Sequence, residues 1–466
     1  MSNLRHNFIN KLLKWFETTL SGTRKGIEDV IISMIPQSIS VVTGFVTSVL
    51  IARGLGPKGM GNYALILSVS GLAAALSDLG IGQTAIRFAS QAAERKDTES
   101  QLAILRWAFR LRMLLVFLTS LIAFSFAPIV ADRLWHEISL SPLVRLSLLT
   151  GIFTAIAAIP TIYFQSLKRF KMNAAVAVGQ TLVSFVGIVV IAFLNKWSLE
   201  LVIAVSVVAS GLGAVTFMFL VPKASFVVSQ DFRQPFVKLI KNLCAAPKQN
   251  PDSSTVLDST GANSFAFFMV LSSVAVTIAM RADVWLMGIY LDKSQIGLYS
   301  VASRFTLPLV IVLGALNTAL WPRASALTSF IKTKEMVSKT FRLSLIVSFV
   351  ALLYSAFAPL TTAYIFGGTY AGGVLLGQLL CLRYCLSILT CPVGVIGYSF
   401  GLVRVYWWIN ILQLIAVIVV NVFLLPRIGA IGSALALIAN EIIGFSLVAI
   451  IVWRRFVNMK TKRESC

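Results

Sequence analysis

Ionisable side chains stand in stretches that are otherwise apolar, and four of them are the candidates for chemistry. They are Arg281 and Asp283 within 264–290, Arg304 within 298–320 and Glu441 within 430–452. A charge surrounded by hydrocarbon is expensive, so such residues are functional candidates by default. A guanidinium suits an anionic phosphate or diphosphate, which it can grip through its fork of donors. A lone carboxylate suits a proton or sodium site, because protonation relieves the burial of its charge. Arg281 falls nine residues before the end of its stretch, roughly 14 Å deep at 1.5 Å per residue, and Glu441 lies at a similar depth. Arg304 is shallower. Asp283 is two residues from Arg281 and so on another helix face, which excludes a simple local pair. A structural ion pair of an arginine with Glu441 or Asp283 is the competing reading.

Two polar stripes accompany these charges. Ser33, Gln37, Ser40, Gly44 and Thr47 recur at steps of four and three; Ser273, Thr277, Arg281 and Trp285 recur at steps of four. Each stripe faces one way on a helix. It lines either a cavity or a tight helix contact made through small residues. Arg281 and Trp285 are not small, which favours a cavity. The substrate-facing candidates are therefore Arg281, Arg304, Gln37, Ser40, Thr277 and Trp285, and the ion-coupling candidates are Glu441 and Asp283.

Other chemistries find less support. GLGPKGMGNY at 54–63 has glycines around a lysine, but Gly59 follows Lys58 where a phosphate loop needs Ser or Thr. The five cysteines form no CxxC pair; Cys381 and Cys385, one helical turn apart, read as small apolar filler. His6 and His136 have no catalytic partner nearby. Asp78, ahead of Gly80 and Gly82, reads as a helix-break residue. No metal or cofactor is expected.

These residues must be positioned by membrane-spanning helices. The 466 residues are 57% hydrophobic and 12% charged, with mean hydropathy +0.86. Twelve apolar runs are each long enough to cross a bilayer: 30–52, 62–82, 111–131, 146–165, 173–194, 199–221, 264–290, 298–320, 342–364, 375–399, 406–425 and 430–452. The expected architecture is all-α and polytopic, with two six-helix bundles at 30–221 and 263–453 around a central cavity. Residues 1–29 hold an amphipathic segment, 222–262 a polar linker and 454–466 a basic tail. Thirty Lys and Arg fall on the side of the two termini and seven on the other. That bias places both termini in the cytoplasm and accounts for the +22 charge without nucleic acid.

The chain also repeats. LIARGLGPKGMGNY (50–63) aligns without a gap on LMGIYLDKSQIGLY (286–299), a shift of 236. Phe109-Arg110-Leu111 matches Phe341-Arg342-Leu343, Phe126-Ala127-Pro128 matches Phe357-Ala358-Pro359, and Tyr163, Leu167 and Arg169 match Tyr398, Leu402 and Arg404. The glycine stretch is then a turn between the first two helices, with Pro57 ending helix one and Gly59 and Gly61 permitting the turn. Six spans per half give two halves of the same orientation, a geometry suited to alternating access.

Residues 43–90, LMGIYLDKSQIGLYSVASRF (286–305) and NVFLLPRIGAIGSALA (421–436) resemble the polysaccharide flippases of the multidrug/oligosaccharidyl-lipid/polysaccharide exporter superfamily. The resemblance implies movement of an undecaprenyl-diphosphate-linked oligosaccharide from the inner to the outer leaflet of the bacterial inner membrane. It also implies membrane lipids, a polysaccharide polymerase and a chain-length regulator as partners. A multidrug cation exporter would share the fold but favours acidic cavity residues, whereas the buried set here leans basic. A membrane glycosyltransferase or polymerase needs a sizeable outer loop, and 132–145 offers only Asp132, His136 and Glu137.

Overall fold

The structure, a computed structural model, describes residues 24–167, 169–221, 259–325, 330–399 and 403–464. The amphipathic segment expected over 1–29 and the linker over 222–262 lie mostly outside these residues.

One helical run, Arg24–Leu76, has 53 residues, about 80 Å of helix against a hydrocarbon core of about 30 Å. It cannot cross once. It breaks at Gly56, whose φ of 67° lies in the left-handed region that a Cβ disfavours. The arms 24–55 and 57–76 are α1 and α2. The turn thus belongs to Gly56 rather than to Gly59 and Gly61, which are helical, and Pro57 opens α2 instead of closing α1. The remaining helices are α3 Ile81–Glu94, α4 Thr98–Ile129, α5 Ser141–Ser166, α6 Phe170–Phe193, α7 Leu199–Leu220, α8 Ser259–Tyr290, α9 Lys293–Phe305, α10 Leu307–Ser325, α11 Phe330–Ser355, α12 Val374–Ser399, α13 Val403–Ile428 and α14 Ala430–Glu464. Among the described residues ten elements pass as spans by length and hydropathy, and α9 with α10, bent by 49°, makes an eleventh. Splitting α1 from α2 gives twelve.

Local chemistry fixes the breaks. At the end of α2 away from Gly56, Asp78 Oδ1 accepts the Gly82 amide at 2.9 Å and pairs with Arg112 Nη1 of α4 at 2.6 Å. Asp78 is a break residue, as its sequence context suggests, and an ion-pair partner besides. The next helix, α3, lays Ile81, Ala85, Ala89 and Ala92 against Ile104, Leu105 and Ala108 of α4. Asp97 caps α4 by accepting the Ser100 amide at 3.0 Å, and the Ser100 side chain and amide hold this exposed carboxyl below its usual pKa.

The repeat is visible in irregularities as well as in helices. In each half Phe-Ala-Pro leads into a π-turn, Val130–Leu134 and Leu360–Ile365. The proline has no amide to give and perturbs the ladder there. A short 3-10 turn follows in each, Ile138–Leu140 and Gly368–Gly373. Between them lie Trp135 and Phe366, both fully buried and 231 residues apart. The largest apolar cluster joins the two halves at the Gly56 end: Ile51, Met60, Tyr63 and Trp135 pack with Met287, Ile296, Tyr299 and Phe366. Large side chains such as Phe117, Phe193, Phe349 and Phe423 face outward. Lipid would solvate them as well as protein does, so close packing rather than apolar burial must hold the helices together.

Candidate functional site

Arg281 projects from α8 across the boundary between halves. Its Nη2 lies 3.1 Å from the point where a Cβ on Gly71 of α2 would stand. The side chain is exposed and makes no ion pair among the described residues. A Cβ at Gly71 would crowd the guanidinium, which would have to give by a few tenths of an ångström.

Asp283, two residues on, turns the other way and is buried. Tyr299 of α9 donates its hydroxyl to Oδ2 at 2.5 Å, and the Val284 amide donates to Oδ1 at 2.8 Å. Arg383 of α12 and Arg281 both act on it electrostatically. The carboxylate is therefore held by hydrogen bonds, with two guanidinium groups near but not bonded.

Glu441 of α14 lines a cavity of about 460 Å³ inside the second half, with Arg383, Ser387, Thr390, Asn410, Gln413 and Asn317 among its walls. Thr390 Oγ1 donates to Glu441 Oε1 at 3.4 Å. Asn410 Nδ2 donates to Ser272 at 2.5 Å and Gln413 Nε2 to the Asn440 carbonyl at 3.2 Å. Arg383 stacks over Tyr384 at 4.7 Å, and its Nε is buried without an acceptor. Glu441 and Arg383 thus share a polar chamber without forming an ion pair.

The first half has a matching chamber of about 400 Å³, lined by Ser40, Gln180, Thr181, Ser184, Ser206 and Ser210. The match is structural. Gln180 packs against Gly213 where a Cβ would meet its Cδ at 2.9 Å, and Gln413 packs against Gly444 in the same way. The shifts, 180 to 413 and 213 to 444, are 233 and 231, and the second shift carries Ser210 onto Glu441. Hydroxyls in the first chamber donate to their own helix: Thr181 to Ala177, Ser206 to Val202 and Ser210 to Ser206. Ser40 Oγ is buried without a partner.

The sequence candidates are therefore divided. Arg281 and Arg383 both lie near Asp283, Glu441 lines one chamber with Arg383, and Ser40 belongs to the other half. Trp285 lines an apolar groove with Val69, Leu72 and Phe126, its Nε1 buried without an acceptor. Thr277 and Arg304 line neither chamber; Arg304 ends α9, where the helix dipole favours a cation. Gln37 lies on α1, its side chain outside the described part. Sequence reasoning missed Arg383, Asn410 and Gln413. The available signal was three large polar groups inside apolar spans. Cys381 and Cys385, in contrast, pack with Phe305 and Leu309 in an apolar cluster, as expected of filler.

A model of the polysaccharide biosynthesis protein family matches residues 27–328. No curated protein sequence matches the chain. Among solved structures, an inward-facing multidrug resistance MATE family transporter of the MOP superfamily superposes with TM-score 0.67 at 12% identity, covering 92% of this chain and 99% of that one. The lipid II flippase MurJ in an inward closed conformation gives TM-score 0.66 at 15% identity, with 92% and 89% covered. The eukaryotic MATE transporter AtDTX14 gives 0.61 at 12% identity, with 94% and 99% covered. These identities speak to the fold. The chain belongs to the polysaccharide biosynthesis protein family and has the two-repeat transporter fold of the MATE transporters and the MurJ flippase.

Proposed function

We propose that this protein flips an undecaprenyl-diphosphate-linked oligosaccharide across the bacterial inner membrane for surface polysaccharide assembly, by alternating access between its two halves. Both termini face the cytoplasm in this reading, which rests on the thirty-to-seven split of basic residues. The observation that carries the reading is Arg281. It is a guanidinium far from the ends of its span, lying beside Gly71 of the other half, with no carboxylate bound to it among the described residues. A diphosphate suits this guanidinium as a charge-assisted, bidentate partner. The lipid part of such a substrate remains in the bilayer while the sugar crosses. Glu441 and Asp283 are the groups whose charge would couple the cycle to an ion gradient. A polymerase and a chain-length regulator would then take the product on the outer side.

The test is reconstitution into vesicles. Translocation of a lipid-diphosphate oligosaccharide, lost in Arg281→Ala and partly restored in Arg281→Lys, supports the reading. Uptake of organic cations with no lipid translocation would replace it by a drug exporter. The carboxylates Glu441 and Asp283 make that arm worth measuring.

A further inference from the structure

Gly61 and Gly297 stand at equivalent positions of the repeat, 236 residues apart, as do Pro57 and Lys293. The structure sets them crosswise. A Cβ on Gly61 would come closer than 3.0 Å to the carbonyl oxygen of Lys293, and a Cβ on Gly297 equally close to that of Pro57. Backbone blocks both positions, so no side-chain rotation would make room. Residue and partner exchange roles across the boundary, as in a two-fold contact between identical subunits. Small residues let the first turns of α2 and α9 touch backbone to backbone, leaving no side chain between them to open a water path.

The flanking bonds follow the same pattern. Each half sends a cation to carbonyls at the π-turn exit of the other: Arg53 Nε to Ile365 O at 2.8 Å, and Lys293 Nζ to Trp135 O at 2.6 Å. Tyr370 adds its hydroxyl to the Ala52 carbonyl at 2.8 Å. All of these contacts lie at the Gly56 end. Arg281, by contrast, meets Gly71 of the other half through its side chain alone and is exposed.

We infer that the Gly61–Gly297 crossing is the extracytoplasmic seal of the transporter: the contact that closes the outer side in this conformation and must part for release there. A methyl group at either glycine would hold the seam open and bias the protein outward. The inference rests on the alternating-access reading above, but not on the identity of the lipid.

Spin labels at Lys58 and Ser294, exposed and flanking the crossing, report the seam by double electron–electron resonance in protein reconstituted with its native cysteines replaced. Gly61→Ala and Gly297→Ala are each expected to enlarge the long-distance population about tenfold, since overpacking of this kind commonly shifts equilibria by such factors. Gly314→Ala, where a Cβ meets nothing within 4 Å, should leave the distances unchanged. This readout needs no substrate, so a wrong lipid assignment leaves it intact. A second measurement keeps both glycines. A cleavable bismaleimide joining Lys58→Cys to Ser294→Cys should stop translocation, and cleaving it should restore translocation. Unshifted distances in both alanine variants, or full translocation with the linker intact, would overturn the seal.

Discussion

Arg53 of one half donates its Nε proton to the carbonyl of Ile365 in the other at 2.8 Å, and Nη2 donates to the neighbouring Tyr364 carbonyl at 3.1 Å. Those carbonyls end a π-turn, where the helix ladder leaves acceptors without amides. A cation is the natural cap for such an end. Arg53→Ala should therefore loosen the seam more than the fold. We expect a loss of about 1 kcal/mol from the closed state, discounted for the exposure of Arg53, read as a several-fold rise in the open population. Arg53→Lys should recover part of it, because a lysine supplies charge but not two fixed donors. A melting temperature that falls as the distances stay fixed would place the bond in folding instead.

Arg281→Ala should abolish translocation with membrane levels unchanged, since Arg281 forms no ion pair among the described residues. Gly71→Val provides the complementary test. It fills the space against which the guanidinium rests and should displace Arg281, reducing transport at normal charge. Full activity in both variants would remove Arg281 from the substrate path.

Glu441→Gln separates coupling from structure. Glutamine keeps the shape and can still accept from Thr390, but it cannot ionise. Because Glu441 has no ion-pair partner among the described residues, the variant should fold normally. Translocation should then lose its dependence on the ion gradient. The same dependence as in the wild type, measured in vesicles, would exclude the coupling role.

The Asp78–Arg112 pair predicts a different phenotype. Arg112 is mostly buried, whereas Asp78 is about two-fifths exposed. Asp78→Asn should lower stability by about 2 kcal/mol, because Arg112 keeps its charge and loses its partner. A double-mutant cycle with Arg112→Met should return a coupling of about 1–2 kcal/mol. A value near zero would show that the pair only decorates the break before α3.

Much of the architecture was legible because a bilayer imposes a simple rule: apolar runs of a minimum length. The repeat was legible because Phe-Ala-Pro and the glycine stretch survive in both halves. What failed was local. Among the glycines of 54–61, only Gly56 has a positive φ, and no pattern of residue types distinguishes it from Gly59 or Gly61. Choosing between turning and close approach needs the other half of the molecule, which lies 236 residues away.

The site was legible to a similar depth. Arg281 and Glu441 announced themselves as charges in apolar surroundings. Their separation could not be read, because it depends on Arg383, which stands between Asp283 and the Glu441 chamber on a third helix. Tyr299 as the donor to Asp283 was also hidden; in the sequence it looks like an interface aromatic. Periodicity reveals which face of a helix is polar, but not which neighbour meets it.

Ser210 where the other half has Glu441 carries a consequence of its own. In an assembly of two identical chains, any carboxylate at this position would appear twice, and any hydroxyl likewise. Joining the copies into one polypeptide frees each from the other's substitutions. One chamber holds uncharged hydroxyls, most of them tied to their own helix, and the other holds an acid and a base. The outline of a symmetric pair persists at the seam, while the charges stand in a single partner.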